Sequence, residues 1–196
     1  MTRIPPLDPA RVDGLDDAFA RQKAIVGLVP ESLLTMAHRP RMAARIADLA
    51  SEVLGPGTLE SGLKQRVAYT VSVSAGCRYC QAHTARAAVR RGVDEEKVAA
   101  ALLFETDARF IEAERAALAL ATDAAAVPNR VTDAHFDRLR RSFSDEQIVE
   151  LVGVIALFGW LNRWNDTMAT TLEREPLGWA RETLSNAGWV PGKHAT

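Results

Sequence analysis

Apolar residues recur along most of this chain at intervals of three and four, the period of a helix that buries one face. Leu15 to Ile25 is the first such stretch. Pro30 precedes a short segment, ESLLTMAHR, which must stop near Pro40 because a proline ring clashes with the turn before it. From Arg41 to Leu54 the apolar positions Met42, Ile46, Leu49 and Leu54 predict a buried face, and Gly55-Pro56-Gly57 ends the helix. Leu59 to Ser74 continues with Leu63, Val67 and Val71 in register; the weak helix formers at 70–74 make a strand the competing assignment there. Gly76 breaks this segment, and the next helix is predicted from Cys77 through Arg90 to Gly92, a glycine placed where a helix ends. Asp94 opens DEEKVAAALLF, Thr106 opens an alanine-rich helix to about Ala124, and Thr132 and Ser144 read as N-caps, Ser144 forming a capping box with Gln147. Leu151 to Leu161 is an unbroken apolar run, read as a buried helix. Pro128 separates the halves, and the stretch after Pro176 is an extension, docked or loose, with one short WARETL helix. Alternating runs and Asn-Gly hairpins are missing, so the predicted fold class is all-α.

Composition narrows the function classes. The 196 residues fit one domain or two small repeats, and 47% hydrophobic with 25% charged residues is a globular balance. With 24 Lys+Arg against 25 Asp+Glu the chain lacks the basic field that would attract nucleic acid or an anionic bilayer, so neither is expected as a partner. The Leu151–Leu161 run falls well short of the roughly 20 residues that span a membrane. The start, Met1-Thr2-Arg3-Ile4-Pro5-Pro6, carries no apolar stretch behind its arginine, and the expected compartment is the cytoplasm. Arginine outnumbers lysine 20 to 4 and alanine contributes 33 residues, a bias that favours helix and carries no function. Two cysteines three positions apart cannot staple the chain as a secreted disulfide scaffold, so their meaning is local.

That meaning lies in Gly76-Cys77-Arg78-Tyr79-Cys80-Gln81-Ala82-His83-Thr84. At about 100° per residue, Cys77, Cys80, His83 and Thr84 share one helix face, so both thiols and the imidazole can meet. Free N–H groups in the first turn favour a thiolate at Cys77, lowering its pKa from about 8.5, and His83 can accept a thiol proton. Competing readings are a zinc site, for which His38, His135 and His194 supply no second ligand pair, and a pair of inert buried thiols. Haem attachment needs a histidine where Gln81 stands, and a thioredoxin-type motif needs a βαβ setting. A weak internal repeat accompanies the motif: shifted by 85 residues, Gln65 falls on Glu150, Val67 on Val152 and CRYC on Asn162-Arg163-Trp164-Asn165.

The AGCRYCQAHTARAA core resembles the CxYC-then-histidine signature of the carboxymuconolactone decarboxylase and AhpD-like alkylhydroperoxidase superfamily. VPESLLTMAHRPRM and LGPGTLESGLKQRVAYTVSVSAG are similar to its approach helices, and FSDEQIVELVGVIALFGWLNRWNDTMA to its closing ones. The resemblance covers about residues 25–175 of a single 1–196 domain of two diverged helical repeats, leaving 177–196 as an extension. It implies the CxYC-containing, peroxidase-related branch: a thiol peroxidase in which Cys80 attacks an organic hydroperoxide or peroxide, Cys77 resolves the sulfenic acid as a disulfide, and His83 assists Cys80. It further implies a separate thiol reductant and a homo-oligomer, trimer or hexamer. No flavin or nicotinamide fingerprint is present, so no cofactor and no metal are expected. Two positions depart from the family pattern. The relay histidine usually lies four residues after the second cysteine, where Thr84 stands, and the relay glutamate twelve before the first, where Gln65 stands. An amide cannot carry the proton; Gln65 is left to orient a group by hydrogen bonding, and Glu150, its repeat counterpart, is the candidate substitute. Tyr79 bounds the pocket, donates a hydrogen bond or simply packs. The competing functions are a lactone-type lyase and a non-catalytic redox-sensing oligomer.

Overall fold

The computed structural model describes residues 2–195, and among these every regular element is helical, as the pattern predicts. The chain opens with α1 (Asp16–Val26), closed by Gly27 at φ 91°, a conformation that glycine takes without a Cβ clash. The short α2 (Glu31–Met36) follows, and Pro40 opens α3 (Pro40–Leu54) at its first turn, where the missing N–H has no partner to lose. The buried face of α3 is turned by about one residue from the predicted one. Ala43, Ala47, Ala50 and Leu54 point inward, Met42 and Ile46 are only half-buried, and Leu49 is 48% exposed. Alanines on the inner face let α3 approach α1 and the helices behind it closely, and that packing outweighs the larger apolar side chains.

The centre of the molecule is α4 (Ser61–Ser74), buried on all sides from Gly62 to Ser72. It packs against α5 (Arg78–Arg90), α7 (Glu112–Ala124) and α9 (Asp145–Met168). The strand alternative fails there because neighbours on every side reward the helical period over local propensity. Its buried charges are paired: Lys64 with Glu150 of α9, and Arg66 with Glu114 of α7 at 2.6 Å. After α5 the chain forms α6 (Glu95–Ala99), capped by Asp94 and shorter than the apolar DEEKVAAALLF stretch. Helix α7 starts at Glu112 rather than at Thr106. Asp107 accepts hydrogen bonds from the Arg109 backbone N–H (2.9 Å) and guanidinium (2.6 Å), closing a turn that sinks Phe110 into the core. Glu114 then caps the Ile111 N–H at 3.1 Å.

Across the Pro128 segment, Thr132 caps α8 (Asp133–Leu139), and Ser144 and Gln147 form the expected capping box at the start of α9. One expectation about α9 changes: the Leu151–Leu161 run is buried on one face only, with Val152, Ala156 and Trp160 exposed. The NRWN segment lies inside the unbroken helix. The C-terminal part is docked: α10 (Arg174–Thr183) lies against α5, running across the boundary at 177, and Trp189 and His194 are buried. No helix of the described residues is long and apolar enough to cross a membrane.

Candidate active site

Gly76, at φ 77°, lets the chain turn sharply between α4 and α5. Cys77 then becomes the N-cap of α5, and its carbonyl accepts the first helical hydrogen bond from Gln81 at 3.1 Å. Cys80 follows one turn later, and both thiols are free and buried. Their environments differ. The Cys77 thiol is held below its ordinary value by the hydrogen bond to Cys80 and by the N–H groups of Cys80 and Tyr79 at the helix start, against the opposing effect of burial. Burial pushes the Cys80 thiol well up, and the hydrogen bond and charge of Cys77 push the same way. Asn165 of α9 donates to Cys80 Sγ at 3.3 Å and opposes this rise. The first proton to leave the pair therefore leaves Cys77.

Cys80, and not Cys77, lines a mostly apolar pocket of about 80 Å³ between α1, α2, α3, α4, α5 and α9. Leu33, Met36, Ile46, Phe158 and Leu161 are among its apolar wall residues, His83, Gln65, Gln22, Ser32 and Asn165 among its polar ones, and among the described residues no Lys, Arg, Asp or Glu lines it. Gln65 is buried, and its Nε2 has no partner among the described residues. Thr84 also lines the cavity, but its hydroxyl donates to the Cys80 carbonyl at 2.7 Å and is not available as a relay.

The carboxylate that sequence reasoning sought at Gln65 or Glu150 comes from elsewhere. His83 Nε2 lies 2.7 Å from Glu173 Oε2, just before α10. Tyr79 donates its hydroxyl to Glu173 Oε1 at 2.7 Å, and the Glu31 N–H donates to the same oxygen at 2.7 Å. Burial alone would raise the Glu173 carboxyl; His83, the Glu31 N–H and Tyr79 outweigh it and hold the carboxyl below its usual value. Tyr79 stacks obliquely on His83, with ring centroids 4.5 Å apart, so it packs and donates at once. Glu150 is committed to Lys64 and to Thr58, whose N–H and hydroxyl donate at 3.0 and 2.8 Å, and it does not line the cavity. Asn165 carried one signal in the sequence, its repeat match to Cys80; Glu173 carried none, standing 90 residues from His83 with no motif around it. A donor, an acceptor and two thiols of unequal acidity beside a mostly apolar pocket form a site able to deliver two electrons and to move protons.

The family model described as carboxymuconolactone decarboxylase matches residues 40–123. Crystal structures of the debrominase Bmp8, apo and as a cysteine-to-alanine variant in complex with 2,3,4-tribromopyrrole, are 34% identical over 95% of this chain and 98% of theirs, with a TM-score of 0.87. The AhpD core structure of an uncharacterized peroxidase-related protein from Ralstonia eutropha JMP134 is 22% identical, covering 89% of this chain and 94% of that one, at a TM-score of 0.79. An uncharacterized peroxidase-related protein from Silicibacter sp. TM1040 is 21% identical, covering 89% and 93%, at 0.77. The last two share the fold. No curated protein sequence matches the chain significantly.

Proposed function

The chain belongs to the carboxymuconolactone decarboxylase and AhpD-like family, and from that premise we propose that it is a dithiol-dependent reductase whose substrate is a small organic hydroperoxide. The observation that carries this is Cys80 in the wall of a mostly apolar pocket, with Cys77 one turn before it and His83 on Glu173 beside it. In the first step Cys80 sulfur attacks the terminal oxygen of ROOH: the S–O bond forms, the O–O bond breaks, and the alkoxide leaves as ROH with the thiol proton, relayed by His83. Glu173 fixes the orientation of the imidazole. In the second step Cys77, the more acidic thiol, attacks the Cys80 sulfenic acid; the S–S bond forms and water leaves with the Cys77 proton. An external thiol returns two electrons and two protons.

The lyase alternative fits poorly. A carboxylated lactone in this cavity would meet no cationic side chain apart from His83, already engaged by Glu173, and an unpaired buried carboxylate is costly. Removal of halogen from an aromatic ring is the second reading, supported by the likeness to the debrominase. It needs the same two electrons, Ar–X plus two thiols giving Ar–H, HX and a disulfide. Pocket size favours the first: about 80 Å³ is roughly half of the 150 Å³ cavity that accepts a benzene, and a short alkyl hydroperoxide fills less space than a halogenated ring.

The test presents the reduced protein with ethyl and tert-butyl hydroperoxide and with a bromopyrrole, following peroxide loss and bromide release in wild type and Cys80→Ser. Peroxide loss well above the rate of a free dithiol, abolished in Cys80→Ser, is expected. Bromide release without peroxide turnover would transfer the assignment to the second reading, and turnover that survives Cys80→Ser would remove both.

A further inference from the structure

On its uncovered side α9 borders a polar pocket that opens into an apolar groove. The pocket, of about 440 Å³, lies between α9 and the C-terminal ends of α4 and α7, and it shares no residue with the pocket at Cys80. Asn162 lines it at 2% exposure, and neither its Nδ2 nor its Oδ1 has a partner among the described residues. A buried amide left open at both atoms has lost its water without replacement, so a ligand that brings an acceptor and a donor together stabilises it. Arg163 stands next to it on the same wall, exposed, with no ion pair or side-chain hydrogen bond among the described residues. Asp166, the acid on that wall, is paired with Lys193 at 2.7 Å, so the free charge of the pocket is positive. The groove, of about 820 Å³, continues the pocket, since Ile155, Gly159, Arg163 and Thr167 line both. It adds Val152, Ala156, Trp160, Trp164 and Met168, with Trp160 stacked on Trp164 at 5.4 Å between ring centroids. Val152 and Trp160 are 41% and 37% exposed, apolar surface left facing water.

We propose that this surface binds an N-acyl amino acid, a molecule with a carboxylate, a secondary amide and an alkyl chain in that order. In an extended amino-acid residue the N–H and the carboxyl oxygen point to the same side, which is how one strand residue pairs with the residue opposite. Asn162 pairs with the ligand in the same way: its Oδ1 accepts the amide N–H and its Nδ2 donates to one carboxylate oxygen. Arg163 donates to the other carboxylate oxygen. The acyl chain then runs along the groove over Trp164 and Trp160 towards Val152, which lies about 16 Å from Arg163 along the helix axis at 1.5 Å per residue. A plain fatty acid leaves Asn162 Oδ1 unpaired, and an uncharged amide leaves Arg163 unused, so the two residues together set the class. No cysteine or histidine among the described residues lines the pocket or the groove, so the ligand is held there and not converted.

Titration calorimetry of the full chain with N-decanoylglycine below its micellar concentration tests this, with tryptophan fluorescence read alongside and circular dichroism as a check on folding. One ligand per chain is expected, with a Kd at or below about 100 μM and a change in tryptophan emission. Decanoate, which lacks the amide, and N-decanoylglycinamide, which lacks the carboxylate, should each bind about tenfold more weakly or worse. Arg163→Gln, at an exposed position, should weaken N-decanoylglycine about tenfold and leave N-decanoylglycinamide unchanged. No binding of N-decanoylglycine up to about 1 mM, decanoate binding as tightly as N-decanoylglycine, or an unchanged affinity for N-decanoylglycine in Arg163→Gln overturns the proposal.

Discussion

At the scale of single residues the site turns on a carboxylate supplied from beyond the motif. Glu173 accepts from His83, Tyr79 and the Glu31 N–H, so it fixes the imidazole and joins α10, α5 and α2 at one point. Glu173→Gln keeps the shape but turns an N–H₂ group toward a donor and removes the negative charge 2.7 Å from the imidazole. Turnover is expected to fall by about a hundredfold or more, with the loss in kcat and a changed pH profile rather than in KM. Steady-state kinetics across pH check this; an unchanged profile would reduce Glu173 to a structural tie. Cys77, Cys80 and His83 were legible in the sequence because they sit within two turns of one helix, where spacing alone sets direction. Glu173 was not, because its place at His83 depends on how the C-terminal segment packs.

At the scale of elements, the pairing of Lys64 with Glu150 shows why a carboxylate matched by the repeat serves structure and not chemistry. Lys64 is buried in the central helix and also donates to the Val53 and Gly55 carbonyls at 3.2 and 2.8 Å, so Glu150 neutralises a cation while fastening the α3–α4 connection. Glu150→Gln leaves that ammonium without its counter-charge and is expected to cost about 3–5 kcal/mol in denaturant unfolding. Turnover per folded molecule should stay at the wild-type level, because Glu150 does not line the cavity. Loss of turnover without loss of stability would return Glu150 to the site. The element boundaries that sequence reading placed well, at Gly92 and Ser144, are those marked by a local device, a left-handed glycine or a capping side chain. The start of α7 was misplaced because the Asp107–Arg109 turn that delays it looks like ordinary helix sequence.

At the scale of the whole molecule, paired and largely covered carboxylates set the response to acid. Glu173, Glu114 and Glu150 are each held below the ordinary glutamate value of 4.5 by their partners, although burial alone would raise them. Their folded forms release protons more readily than the unfolded chain, so the stability they add is present above about pH 4.5 and is lost as pH falls through their folded values. Glu31 acts the other way: burial, then Glu173, raises its carboxyl, but it is one group against three. The melting temperature is expected to be level near neutrality and to drop below about pH 4.5, more gently in Glu114→Gln; scanning calorimetry against pH decides, and a flat profile into acid would refute the linkage. The sequence by itself determined the helical class, most of the helices and the thiol–histidine face, because these follow from periods and caps that act within a turn or two. Only the tertiary structure decided which carboxylate meets His83, which thiol lines the cavity, how large that cavity is and which side of α9 stays uncovered. Each of these depends on distant segments being brought together by burial, and burial records no spacing in the chain.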